Sequence, residues 1–247
     1  MQEAVAYRVD FFTHLLTSVA HAGAELLGLW TIFSNTNSLA GWNVWQILAL
    51  LGVFRVMSGV IALLVAPNMR LIMQDIRDGT LDFVLIKPIN SQFYASIRRL
   101  VVWQGFTIAT GIAMAAVAGV KLSAAVSAGR AAMFVILLAA GVTIIYSFWL
   151  VLATLAFWFT RISNIEMVFW NVFEAGRYPV DIYRRPVRWV LTYVVPLAFL
   201  TTFPARALVG KLEATNLAVA LAVGAAALAG SSWFWRYGLR HYSGASG

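Results

Sequence analysis

Six stretches of about 20 mostly apolar residues alternate with polar segments along the chain, the length a helix needs to cross a bilayer. They run approximately Phe11–Phe33, Trp45–Val65, Val101–Val120, Ala131–Phe159, Val187–Leu208 and Leu217–Trp235. Runs such as Met133–Leu138 and Leu217–Leu221 are continuously apolar and lack the alternation of a barrel strand. The pattern therefore predicts an all-α polytopic membrane protein with six transmembrane helices. The fifth stretch is the least regular, because Pro196 and Pro204 interrupt it. Composition agrees. The 247 residues are 61% apolar and 11% charged, against about 45–50% and 25% in soluble domains.

Charge changes the picture in one respect. Eighteen Lys and Arg stand against ten Asp and Glu. A basic excess can mark nucleic-acid binding, but this chain has too little polar surface for a basic patch, and no nucleic-acid partner is expected. The cations instead report topology. Arg70, Arg77, Lys87, Arg98 and Arg99 fall between spans two and three. Arg161, Arg177, Arg184, Arg185 and Arg188 fall between spans four and five. With Arg8, Arg236 and Arg240, thirteen cations share one side, and only Lys121, Arg130, Arg206 and Lys211 share the other. This places both termini in the cytoplasm. Ala20-His21-Ala22 and Ala22-Gly23-Ala24 mimic a leader-cleavage site, but Glu3 and Asp10 beside Arg8 make a poor basic n-region. The first ten residues are expected to lie along the interface with Val5 and Tyr7 toward lipid. Residues 1–242 read as one transmembrane domain and 243–247 as a flexible tail.

The most organised polar stretch is 66–100. Met69, Ile72, Met73 and Ile76 recur at helical spacing, so Asn68–Asp78 reads as a short amphipathic helix. Asn68 is its expected N-cap and Gly79 its left-handed end. Lys87-Pro88 then breaks the chain before a second helix. Within this stretch stand Ile76-Arg77-Asp78-Gly79-Thr80-Leu81-Asp82, Leu85-Ile86-Lys87-Pro88-Ile89-Asn90 and Gln92-Phe93. Further on come Asn171-Val172-Phe173-Glu174, Arg177-Tyr178-Pro179, Tyr183 and Phe203-Pro204-Ala205. In these lines the chain resembles the permease subunits of ABC-2 family exporters.

That resemblance implies a permease pairing with a second permease, identical or a sister protein, in the bacterial cytoplasmic (inner) membrane among its lipids. Cytoplasmic ABC ATPase subunits would carry ATP and Mg. A coupling helix between spans two and three would dock them, here through Arg70, Gln74, Asp75, Arg77, Asp78, Gly79 and Asp82, with the apolar stripe gripping a partner groove. It also implies a re-entrant segment before the last span, expected at Pro196–Leu208. The chain's own residues agree that ATP hydrolysis belongs elsewhere. None of Lys87, Lys121 and Lys211 sits in a G-x-x-x-x-G-K-[ST] loop. Without cysteine, a G-x-S-x-G elbow or metal-ligand spacing, no catalytic residue and no metal site is assigned.

Inside the spans, His14, Ser18, His21 and Glu25 follow at spacings of four, three and four, so one helical face carries them. Glu25 lies roughly 12 Å below the Phe33 end of span one, and Arg55 roughly 15 Å below the start of span two. These depths predict a Glu25–Arg55 pair. Such a pair suits a structural register, a gate or substrate contact in the transport path, or, with His14 and His21, a proton relay. The last would make the chain a self-sufficient proton-coupled transporter, the rival to an ATP-driven one. Ala220-xxx-Gly224 suits close helix packing, and Trp42, Trp45, Trp233 and Trp235 suit interfacial anchoring.

Overall fold

The computed structural model describes residues 2–122, 128–159 and 163–242, and every regular element among them is helical. Arg161 and Ser243–Gly247 lie outside these residues, as do the side chains of Val5 and Tyr7. Helix α1 (Gln2–Phe33) continues unbroken through the segment expected at the interface. A turn over Leu39–Trp42, with Ala40 and Gly41 both at positive φ, leads into α2 (Val44–Val60). Asn43 caps α2 in a reciprocal box with Gln46.

Helix α2 passes through a π-helical turn, Ile61–Val65, straight into α3 (Ala66–Asp78). The 35-residue rod is about 52 Å long, so about 20 Å of it projects beyond a ~30 Å hydrocarbon core. Asn68 is therefore not an N-cap. It is fully buried, and its amide donates to Leu64 O and Arg99 O while Arg99 N donates back to it. Asn68 thus ties the rod to the chain entering the third span. Gly79 ends α3 at φ 69° as expected.

Short helices α4 (Asp82–Leu85) and α5 (Ser91–Ile97) follow α3, and a 3₁₀ turn, Val102–Gln104, leads into α6 (Gly105–Lys121). Helix α7 (Ala128–Thr154) then returns. Trp149 and Leu150 of α7 and Met69 and Ile72 of α3 are buried in one core.

The fifth crossing is not where the apolar pattern put it. Helix α8 (Ser163–Phe173) starts beside α3, where Glu166 lies 3.2 Å from Arg70. Phe169 then meets Trp149, and Phe173 stacks on Phe54 halfway along α2. The 3₁₀ turns Glu174–Arg177 and Val180–Ile182 carry the chain onward. Asp181 finally receives the Trp42 indole N–H at the far end of α2. Residues 163–182 thus cross the whole bundle.

The expected fifth span, Val187–Leu208, is instead a hairpin. Helix α9 (Arg185–Tyr193) and the stretch Ala198–Leu208, which ends in α10 (Phe203–Leu208), meet at a 76° bend around Pro196. Both arms are tied to Asp181, by Arg188 and by Arg206. The bend side reaches inward, where Phe199 and Leu200 close on Gly141 beside Met57. This is a re-entrant hairpin from the far face, longer than the Pro196–Leu208 expected. Helix α11 (Ala214–Leu239) makes the last crossing along α7.

This path redistributes charge. Arg177 lies within the fifth crossing, and Arg184, Arg185 and Arg188 lie at the far face with Asp181. The bias that oriented the chain is accordingly much smaller than thirteen to four.

Candidate functional site

His21, Glu25, Arg55, Gln104, Thr107, Glu174 and Arg177 line one cavity of about 560 Å³ between α1, α2, the start of α6 and the Glu174–Arg177 turn. Its floor is an ion pair. Arg55 Nη1 lies 3.1 Å from Glu25 Oε2, with both side chains less than a tenth exposed. Arg55 Nη2 donates to Ser18 O and Oγ at 3.0 and 3.2 Å, and its Nε donates to Thr110 Oγ1 at 3.0 Å. One guanidinium therefore fastens α1, α2 and α6 together. A buried cation needs such complete partnering to be tolerated.

A close approach of α2 to α6 lets Thr110 reach Arg55. Gly52 and Gly111 face each other so tightly that a Cβ on either would sit 2.7 Å from the other's carbonyl oxygen. Glycine is required here by backbone proximity, in the manner of small-residue membrane contacts.

A second arginine shares Glu25. Arg177 Nη2 lies 3.8 Å from Glu25 Oε1, its Nε lies 2.5 Å from Glu174 Oε2, and its guanidinium covers the Phe54 ring at 5.4 Å. Residue 177 looked like a topological charge along the chain. The fold makes it the exposed rim of the internal pair. The irregular backbone around it is acceptable at this depth because it is packed in protein and borders a cavity.

The four-residue stripe of α1 divides. Ser18 and Glu25 hold Arg55, and His21 borders the cavity. His14 instead stacks on the Trp103 indole, with ring centres 5.8 Å apart and planes within 10°. The structure does not bring His14 to the cavity, as a relay through His14 to Glu25 would require. Among the described residues no group of three or more His, Cys, Asp or Glu could hold a metal ion.

At the far face a second charge cluster escaped the sequence reading. Asp181 accepts from Arg206 Nη2 at 2.8 and 2.6 Å and from Trp42 Nε1 at 3.2 Å, with Arg188 Nη1 at 3.8 Å. Beside it Lys211 Nζ donates to Gly41 O and Gln46 Oε1. The scarcity of acids in this chain was the only signal that Asp181 had a special place. Asp181→Ala is expected to lower stability by about 2 kcal/mol, because Arg206 and the Trp42 indole lose their acceptor at once, while Arg188 keeps the backbone carbonyls of Val180 and Asp181. Thermal unfolding of the detergent-solubilised protein measures it; Asp181→Asn, which can still accept from Trp42, should lose less. An unchanged midpoint for Asp181→Ala would show that the Asp181 cluster is not a clasp holding the far face together.

The residues expected to dock a partner are spread differently from their order in the chain. The α3 stripe is turned inward: Met69 and Ile72 are fully buried and Met73 nearly so. It packs against the chain's own core rather than being offered to a groove. Asp75 lies 2.5 Å from Arg98 and accepts from Thr80 Oγ1, which braces the Gly79 turn, and Arg70 holds Glu166. Asp82 is half-buried at the start of α4. Gln74, Arg77 and Asp78 remain exposed. What the pattern missed is the apolar tip beside them, where Phe83, Ile86 and Ile89 are 69%, 77% and 49% exposed. Desolvation pushes the nearby Tyr242 phenol above its usual value, with Asp82 adding to the shift.

A family model described as ABC-2 family transporter protein matches residues 19–246, a range that includes the cavity, the clasp and the projecting segment. No curated protein and no solved structure matches the chain.

Proposed function

The chain belongs to the ABC-2 transporter family, and from that premise we propose that it is the membrane-spanning permease of an ATP-driven exporter. Six crossings carry a substrate path through a bacterial cytoplasmic membrane, with both termini and α3–α5 on the cytoplasmic side. ATP and Mg are bound by separate ATPase subunits. The chain itself hydrolyses nothing. A second permease, identical or a sister protein, completes the path, and alternating access moves the substrate.

One observation favours this reading over a self-sufficient carrier. The rod α2–α3 thrusts a folded tip, braced by Asn68, Asp75 and Arg98, about 20 Å past the hydrocarbon core. The rest of the chain leaves Phe83, Ile86 and Ile89 of that tip uncovered. Exposed apolar side chains rimmed by Gln74, Arg77 and Asp78 suit a protein partner. The apolar anchors supply affinity, and the charged rim sets register more than strength.

The test is co-purification of the tagged chain expressed with its neighbouring genes. A nucleotide-binding subunit should co-purify with the wild type. Phe83→Asp with Ile86→Asp should lose it while the melting midpoint of the permease is kept, since neither side chain is buried. Arg77→Ala with Asp78→Ala should weaken capture less. Retained capture by the Phe83/Ile86 variant moves the docking surface elsewhere. Absence of any ATPase from the wild-type preparation overturns the reading.

A further inference from the structure

The internal cavity has the chemistry of a binding site, and we infer that it takes an amphiphile with an oxyanion head, its apolar tail lying along α1 and α2. Three features carry this.

The first is room. The cavity's 560 Å³ falls within the roughly 300–1,000 Å³ of small-molecule sites. On the α1 side it is bordered by His21, Ala24, Glu25, Gly28, Leu29 and Ile32, and a Cβ placed on Gly28 would meet nothing within 4 Å.

The second is a lining of both kinds. Gln104, Thr107, Arg177 and Tyr178 share the wall with Leu29, Ile32, Ile47 and Leu51. A ligand satisfying both needs a polar head and a hydrocarbon body.

The third is a set of unspent donors on Arg177. Arg55 is spent on Glu25, Ser18 and Thr110. Arg177 is different: it contacts Glu174 through Nε and reaches Glu25 only at 3.8 Å. Its side chain is 38% exposed, and the rim glutamate Glu174 is 49% exposed. The guanidinium lies over the Phe54 ring, 5.4 Å from its centre, and carries forked N–H groups of the kind that receive a carboxylate or phosphate bidentately. An incoming oxyanion takes Arg177 and leaves Glu174 to water.

The inference deepens the transport reading, on which its biological meaning rests. Binding to the isolated chain needs no ATPase, so either can fail without the other. The assay is native mass spectrometry of the permease in non-ionic detergent, titrated with dodecanoate, dodecyl phosphate and dodecyltrimethylammonium. The two anions should bind and the cation should bind at least tenfold more weakly. The ratio of the two anions identifies the head as carboxylate or phosphate. Arg177→Gln should weaken anion binding about tenfold or more. Gly28→Leu should abolish it at an unchanged melting midpoint, and Gly23→Leu, also in open space, should bind as wild type. If Arg177→Gln fails to fold, Gly28→Leu alone decides. Equal binding of all three probes overturns the head assignment, and wild-type binding by Gly28→Leu overturns the site.

Discussion

Arg55→Met is expected to leave little folded protein in the membrane. The methionine fills similar volume, so the loss is electrostatic rather than a cavity. Four hydrogen bonds vanish together, to Glu25, Thr110 and twice to Ser18. Glu25, only 7% exposed, keeps just the 3.8 Å contact with Arg177. Breaking one half of a buried pair costs about 3–5 kcal/mol, a large part of the ~5–15 kcal/mol that holds a typical domain. Size-exclusion profiles and melting of detergent-solubilised protein measure the effect. Arg55→Lys should fall between, because an ammonium cannot point separate donors at α1 and α6. The decisive variant is Arg55→Met with Glu25→Gln. With no charge left to desolvate it should regain much of the loss. If the double variant is as unstable as the single, the ion pair is not what the site depends on. If Arg55→Met folds normally yet transport stops, the pair is a gate rather than a register.

That pair was legible in the sequence because helical rise converts residue counts to depth, and two rare charges came out at matching depths. The five regular spans were legible for an equally simple reason: lipid demands a long unbroken apolar run. The fifth crossing breaks that rule. Between Ser163 and Ile182 it carries Glu166, Glu174, Arg177 and Asp181, and each finds an opposite charge within the fold. Half of it is 3₁₀ or extended, and neighbours complete its backbone hydrogen bonding: Val180 N donates to Thr202 Oγ1, and Arg188 donates to Val180 O and Asp181 O. Hydropathy measures the cost of a group in lipid and is blind to a partner supplied by tertiary structure. The hairpin 185–208 deceived the pattern in the opposite sense, being apolar because it reaches membrane depth without crossing.

The α3 stripe shows the same boundary in miniature. Periodicity established that Met69, Ile72 and Met73 are covered, but not by what. An internal core and a partner's groove write the same pattern. Asn68, locked between Leu64 and Arg99, and the Asp75–Arg98 pair fix the helix against its own chain, so the docking surface we propose is the exposed Phe83 and Ile86.

Gly111→Val is expected to remove the α2–α6 crossing and with it the fold. Its Cβ would stand 2.7 Å from Gly52 O, 2.8 Å from Val56 N and 2.9 Å from Arg55 Cβ. Two of these are backbone atoms, which cannot turn aside as a side chain would. The helices must separate, and Thr110, one residue away, then leaves Arg55 Nε. The cost is therefore at least the ~3 kcal/mol upper end of ordinary overpacking, with the loss of an Arg55 hydrogen bond added. Gly111→Ala meets the same clash and should already lower the melting midpoint. Gly119, two turns further along α6, has nothing within 4 Å of its Cβ position. Gly119→Ala should therefore hold or raise the midpoint, by up to the ~1 kcal/mol that alanine gains over glycine in a helix. Opposite signs from one substitution on one helix separate backbone proximity from helix propensity. If Gly111→Ala and Gly119→Ala melt alike, the helices are not in contact at Gly52, and Arg55 must be held in place by α1 alone.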